Sequence, residues 1–446
     1  MSKRNFFLVT FFLVISLQMF PVLWSWFTGN PCPFRFGSHH DLYPDRASIN
    51  DVGKSFAVSQ WSRKYQTACS TCHTAIPRLN YYGERFMRNG FQDPDNDTPD
   101  GGTLQKKTYG NVDIGRLEDV FGVRVSAQPF KLITNGLTKN GGNETAIDLG
   151  TMNWIQLFTA GTVTKNLSIF DELELDRDGK VKHGWFVIGV HNVMNSQGLV
   201  NFQVGKLSPV EWTSFTNRLS IFPELKGFAD KINSSTNGST TNVGEDSSNI
   251  SSAQYGVTYY GYRGPLVWAL GGGNSEHPVD VNQDKNFWSS LKAEIPEGDS
   301  PIEGSSVSLF YYNGTDTFNT AVAQVKNDYW RLQPSANLRF NKNVDLIGSF
   351  HYAKENNFNL TTPDGAETYW GITGIASYMP VSYILTGIQY DTVQQDKGTN
   401  LEDDRLAFHV SWLPRENIRL IFTADTDLLK SGTKKHEFYS VIRMMF

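Results

Sequence analysis

The sequence predicts a mainly β protein: a transmembrane antiparallel β-barrel of about 16 strands, with a small N-terminal α-helical segment lodged in or capping it. Three observations carry this. Segments of period-two alternation fill the chain from about residue 108 to its end, short polar turns alternate with long polar stretches between them, and the chain closes on an aromatic, Phe446. Aromatics make up 13% of residues and Gly is abundant, which suits many strands with interfacial rings. Hydrophobic content is only 39%, too low for a bundle of membrane helices.

The chain divides into three: 1–30 as a signal peptide, 31–105 as a compact N-terminal segment with its linker, and 106–446 as the barrel. Lys3 and Arg4 precede an apolar run, Phe6 to Phe20, that Pro21 ends. This reads as a secretion signal, cleaved somewhere in roughly 25–35. An uncleaved anchor is the alternative, and either way the chain leaves the cytoplasm. The net charge of −5 argues against nucleic acid as a partner. Cys32 is left over from the three cysteines and takes no assigned role.

The chemistry of the second part lies in Cys69-Ser70-Thr71-Cys72-His73. Two intervening residues let one helical turn present both thiols to the two vinyl groups of a haem. The adjacent histidine then falls beneath the iron. A redox dithiol has no need of His73, and a zinc site lacks a second cysteine pair. The expected cofactor is one covalently bound haem c, held by Cys69, Cys72 and His73.

Around the motif, Phe56–Tyr65 predicts a short packing helix. Ile76, Leu79, Gly83, Phe86 or Met87, and Gly90 predict a helix after Pro77 that stops at Gly90. Gly83 allows close approach to a porphyrin. Arg78, Arg85 and Arg88 suit haem propionates or a solvated face. Met87 is one candidate for the sixth iron ligand, with His39 and His40 as alternatives. Ordinary packing is the commoner role of such a methionine. Asp93, Asp95 and Asp97 begin like a calcium loop, but Thr98 and Leu104 stand where Gly and Glu belong, so a solvated linker is expected.

In the third part, Gly184–Val193, Leu199–Leu207, Ser305–Tyr312, Val344–Ala353 and Ile418–Thr426 read as strands. Thr164-Lys165-Asn166, Arg263-Gly264-Pro265, Asn341-Lys342-Asn343 and Pro414–Asn417 read as short turns. Lys231–Ser252 is the longest polar stretch. About 335 residues at roughly 20 per strand and loop give ~16 strands. In the final strand, Phe438, Ile442, Met444 and Phe446 share a face. Glu172, Glu174 and Asp176 alternate with Asp171, Leu173 and Leu175; they suit a cation-attracting stripe or, more simply, a polar lumen. The other histidines form no ligand cluster by spacing.

Signal, a single C-x-x-C-H in a short N-terminal segment, and a barrel ending in Phe446 together resemble one family. It is the outer-membrane monohaem cytochrome–porin fusions of iron-oxidising bacteria. Cys69 to Phe91, with Pro77, Leu79, Gly83, Phe86 and Asn89-Gly90, is the most family-like stretch. The resemblance implies an oxidoreductase of the bacterial outer membrane. Its electron donor would be extracellular Fe(II), and its acceptor a periplasmic cytochrome or copper protein. An electron conduit for a different donor and a haem-plugged transport porin are the alternatives.

Overall fold

The computed structural model describes residues 60–94, two short strands between 107 and 114, and residues 120–446 with breaks at 138–142, 217–219, 223–249, 275–283, 320–323, 358–365, 396–402 and 429–434, apart from a few isolated positions throughout. The signal, Cys32, His39, His40, His277 and the acidic run Asp93, Asp95 and Asp97 lie outside the described residues.

Two short strands, β1 (Lys107–Tyr109) and β2 (Val112–Ile114), pair with each other in a sheet of their own. Sixteen antiparallel strands then close into one barrel. The first eight are β3 (Phe121–Leu137), β4 (Asn143–Thr164), β5 (Leu167–Asp176), β6 (Val181–Val190), β7 (Asn201–Leu207), β8 (Gln254–Arg263), β9 (Leu266–Gly273) and β10 (Asn286–Glu294). The second eight are β11 (Ser306–Asn319), β12 (Gln324–Phe340), β13 (Val344–Glu355), β14 (Glu367–Val381), β15 (Ile384–Gln395), β16 (Asp403–Arg415), β17 (Ile418–Asp427) and β18 (His436–Met445). The barrel therefore begins at Phe121, later than the expected boundary near 106.

Closure explains the chain end. β18 pairs with β3, and Phe446 exchanges two backbone hydrogen bonds with Val123, at 2.8 and 2.9 Å. The last residue thus completes the seam and leaves no open edge there.

The wall is apolar outside and polar inside. Along β13, Asp345, Ser349, His351 and Glu355 are buried within the barrel, while Leu346, Phe350 and Tyr352 are exposed. Leu149, Leu270, Phe287, Leu291, Val307 and Leu309 continue the outer belt. A water-soluble sheet hides its leucines; this one displays them and hides arginine and aspartate, which is the arrangement a lipid surround demands. In β5, Glu172 takes the inner face as its alternation predicts.

The two ends differ. β4–β5, β8–β9, β12–β13, β14–β15 and β16–β17 are joined by turns of two or three residues at one end. The connections 191–200 and 295–305 at that end are longer. The opposite end carries the long stretches 208–253, 274–285, 356–366 and 428–435. In outer-membrane barrels the short turns face the periplasm. β3 starts, and Phe446 ends, on the short-turn side.

After β7 the chain folds into the lumen. Trp212 stacks on Tyr260 at 4.3 Å, and Ser214 donates its N–H to Ser308 Oγ at 2.9 Å. Further along, Arg419 donates to the Ile221 carbonyl at 2.8 Å, and Phe222 packs on His409. This crossing segment reaches from the β8–β11 wall to the β16–β17 wall. Beside it lies the N-terminal unit, with α1 (Gln60–Tyr65) and α2 (Tyr81–Arg88).

Candidate functional site

The haem motif is built on one tight turn. Cys69–Thr71 form a 3-10 turn, and the N–H groups of Cys72 and His73 both donate to the Cys69 carbonyl. Both cysteines are half-buried, and neither is in a disulfide. His73 Nδ1 lies 2.9 Å from the Pro77 carbonyl and 3.2 Å from that of Arg78. A carbonyl oxygen only accepts, so Nδ1 carries the ring proton and Nε2 keeps its lone pair. That tautomer, fixed by backbone acceptors, is what an axial iron ligand requires. Burial lowers the pKa of His73 and favours the same neutral ring. Two thiols on one turn and a histidine with Nε2 to spare fit a c-type haem. Burial, and next the Glu416 carboxylate, push the Cys69 thiol up to about 12.

The segment after the motif is partly irregular, for a reason. The helix expected after Pro77 does not begin there; residues 76–79 form the loop whose carbonyls hold His73. A bridge between His73 and Leu79 closes that loop. The helix α2 starts only at Tyr81, where Asn80 Oδ1 accepts the Gly83 N–H at 2.8 Å. Asn80 Nδ2 also donates to the Thr71 carbonyl at 3.0 Å, tying cap to motif. A Cβ on Gly83 would sit 2.2 Å from the Cys72 carbonyl oxygen. Glycine is therefore needed for packing the helix on the motif itself, where the sequence suggested approach to a porphyrin. Gly90, at φ 72°, ends the helix as expected.

An aromatic clasp binds the ends of this unit to the wall. Trp61 of α1 stacks on Phe91 at 5.0 Å, and Phe91 on Phe170 of β5 at 5.8 Å. Tyr65 packs edge-on against Phe86 and donates its hydroxyl to the Phe91 carbonyl.

Charge fixes the rest. Arg78 pairs with Asp345 of β13 at 3.4 Å, and Arg88 with Glu294 of β10 at 2.6 Å. Lys292 bridges Glu84 (2.8 Å) and Glu294 (2.7 Å), and Arg339 of β12 reaches Glu84 (2.8 Å) and the Leu79 carbonyl (2.7 Å). Arg78 and Arg88 are thus buried in ion pairs with the wall, rather than on a solvated face or committed to propionates. Arg85 stays within its own unit, over the Tyr81 ring. Burial alone would raise the Glu84 carboxyl, but Lys292 and Arg339 outweigh it and hold the group well below the usual carboxylate range.

A neutral chain adds to these pairs. Tyr260 of β8 donates its hydroxyl to the Arg88 carbonyl at 2.9 Å, so it accepts from His191 Nδ1 at 2.8 Å. His191 Nε2 then accepts from Ser168 Oγ at 2.6 Å. Glu416, in the β16–β17 turn, accepts the Cys69 N–H at 2.8 Å, and the Lys165 carbonyl, in the β4–β5 turn, accepts from Gln92. Nearly every wall partner lies at the short-turn end. Residues 60–92 are a plug in that mouth.

Met87 packs against the wall cluster of Trp212, Tyr260, Val267 and Ala269. It also borders a cavity of about 20 Å³ shared with Trp212, Glu84 and Lys292, room for one water. This is the packing role, set beside the sixth-ligand role expected for it. Glu172 and Glu174 are both held by Gln156, with Arg124 3.4 Å from Glu172; Asp176 accepts the N–H groups of Asp178 and Lys180 in the following turn. Glu172 and Glu174 serve a polar lumen wall, and Asp176 caps the turn. His183 pairs with Asp171, and His351 and His409 lie beside Arg331 and Arg419. Among the described residues no three His, Cys, Asp or Glu side chains converge as a metal site.

Sequence reasoning missed the wall half of the plug contacts: Glu294, Lys292, Arg339, Asp345, Tyr260 and His191. The only signal was their charge or polarity at inward positions near the short-turn ends of strands.

No family model matches the chain, and no curated protein matches it. Solved structures do. An anion-selective porin from Comamonas acidovorans is 13% identical, covers 73% of this chain and 98% of its own, and gives a TM-score of 0.51. The outer membrane channel DcaP of Acinetobacter baumannii is 11% identical, covers 77% of this chain and 100% of its own, and gives 0.50. At such identities the likeness is one of fold. The chain is a porin-like barrel of the bacterial outer membrane.

Proposed function

We propose that this protein is an outer-membrane c-type cytochrome in which a haem held by the plug joins the two sides of the membrane electrically. The observation that carries the proposal is the His73 tautomer: Nδ1–H is committed to the Pro77 and Arg78 carbonyls, which leaves Nε2 for iron. Cys69 and Cys72 would hold the group covalently. When bound, it supplies a one-electron centre, and the resemblance to cytochrome–porin fusions points to Fe(II) as donor and a periplasmic cytochrome or copper protein as acceptor.

The chain's own residues supply position and access. Arg78, Glu84 and Arg88 hold the motif against the short-turn mouth, on the side where a periplasmic acceptor would dock. Donor cations would therefore approach from the long-loop side through the polar lumen, rather than meeting the motif at the cell surface. No general acid or base is required of the protein.

A second reading has support from the porin-like fold: a transport barrel in which the plug gates solute. Anaerobic mixing of the haem-loaded protein with Fe(II) separates the two. The proposal expects rapid growth of reduced c-type bands, abolished in His73→Ala while the barrel still assembles. A haem that stays oxidised with Fe(II), in a barrel that passes small solutes into liposomes, would favour the transport reading.

A further inference from the structure

The end of the lumen opposite the plug holds a carboxylate that the fold leaves without a partner. Glu367, the first residue of β14, is 8% exposed and faces inward. Its Oε2 is buried and makes no hydrogen bond. Directly across the ladder stands Glu355, the last residue of β13, with no exposure at all. Glu355 is satisfied: Arg331 reaches its Oε1 at 2.6 Å, and Asn327 reaches its Oε2 at 2.9 Å. Arg331 therefore answers one of two adjacent carboxylates and leaves the pair one charge in excess.

Like charges directly opposite in a sheet repel, and a buried carboxylate without a partner is destabilising. The wall at β17 and β18 repeats the pattern. Asp425 of β17 stands directly across from Glu437 of β18; its buried Oδ1 makes no hydrogen bond, and the nearest cation, Arg405 Nε, is 3.9 Å away. At the plug end, by contrast, the wall carboxylates Asp345 and Glu294 are answered at 3.4 Å or less by Arg78, Arg88 and Lys292. Along β13 the two conditions stand ten residues apart, from Asp345 to Glu355, or roughly 33 Å of strand.

We infer that Glu355 and Glu367 form a binding position for a divalent cation at the long-loop mouth of the lumen. Two carboxylates without a third converging protein ligand leave such an ion largely hydrated and readily released. That suits a cation in transit: a passage needs positions that attract an ion and also let it leave. Oxygen donors fit a hard or borderline divalent ion. The naming of that ion as incoming Fe(II) rests on the function proposed above; the site itself does not.

Mn(II) is a probe of the same charge that needs no redox chemistry, and free Mn(II) is read directly by electron paramagnetic resonance. Titrated into the full-length protein in detergent, Mn(II) should lose its free signal to a saturable site, and Glu367→Gln should weaken that binding roughly tenfold or more. Glu303→Gln, a carboxylate at the plug end, should leave it unchanged. Displacement of Mn(II) by Ca(II) at lower concentration than by Fe(II) would mark a structural alkaline-earth site and overturn the transit role, whereas displacement by Fe(II) at lower concentration than by Ca(II) supports it. Absence of saturable binding, or equal binding in Glu367→Gln, overturns the site. None of these readings depends on haem, so they fail or succeed apart from the iron-oxidation proposal. A well-folded Glu367→Gln barrel is verified by its heat-modifiable mobility on gels.

Discussion

The barrel wall and the plug are held by different forces. Each wall strand is hydrogen-bonded through its backbone to two neighbours, and the ring has no edge. The plug has two short helices of six and eight residues, and attaches through side chains: four ion pairs at its core, one tyrosine hydroxyl and an aromatic clasp. A segment so short buries little core of its own. The difference teaches where mutations matter. Side-chain changes should move the plug while leaving the wall, whose strength lies in the ladder, almost untouched.

The largest expected effect is on the cofactor. His73→Ala, or Cys69→Ala with Cys72→Ala, should remove all haem-stained, Fe(II)-reducible protein, while the barrel still reaches the outer membrane. Loss of the barrel as well would break the comparison, because it would make haem a requirement of the wall.

Next comes Glu84→Gln. It removes the carboxylate charge that Arg339 and Lys292 share, so plug docking should lose about 3 kcal/mol. Hydrogen exchange should rise across residues 60–92 and stay unchanged in β13–β17. The same group sets a pH dependence. The folded carboxyl of Glu84 lies below its ordinary value, held there by Lys292 and Arg339 against the effect of burial. Its contribution is therefore complete above the ordinary carboxylate range and is lost as pH falls below it. Arg88, Glu294, Arg78 and Asp345 face the same contact. Limited proteolysis at falling pH should release the plug before the barrel yields, and Glu84→Gln should flatten that dependence.

Tyr260→Phe is smaller. It removes the bond to the Arg88 carbonyl and leaves His191 Nδ1–H without its acceptor, worth about 1–3 kcal/mol of plug stability by the same exchange measurement. Smallest is Leu309→Val on the lipid face, where a change within about 0.5 kcal/mol is expected in barrel unfolding.

Much of the wall was legible because it obeys local rules. Period-two alternation marked β13 and β17 within a residue or two, and the turns at Gly264-Pro265 and Glu416-Asn417 fell inside the turns read from sequence. The last residue read from sequence, Phe446, joins the seam with Val123 through its backbone. The motif was legible too, since Cys69, Cys72 and His73 act within one turn. The plug's attachment was not. Arg78 and Asp345 are 267 residues apart in sequence, and no periodicity announces that they meet. Nor does a helical pattern reveal that residues 76–79 give up helix to hold an imidazole. Such features come from pairing across the lumen, which a linear reading does not contain.

One measurement tests the central claim most directly. Haem-loaded protein is placed in liposomes that enclose an oxidised soluble cytochrome c, and Fe(II) is added outside under anaerobic conditions. The account predicts reduction of the enclosed cytochrome at a rate that scales with haem-loaded barrel and vanishes with His73→Ala. An enclosed cytochrome that stays oxidised, although the barrel's own haem is reduced by Fe(II), would contradict a conduit across the membrane.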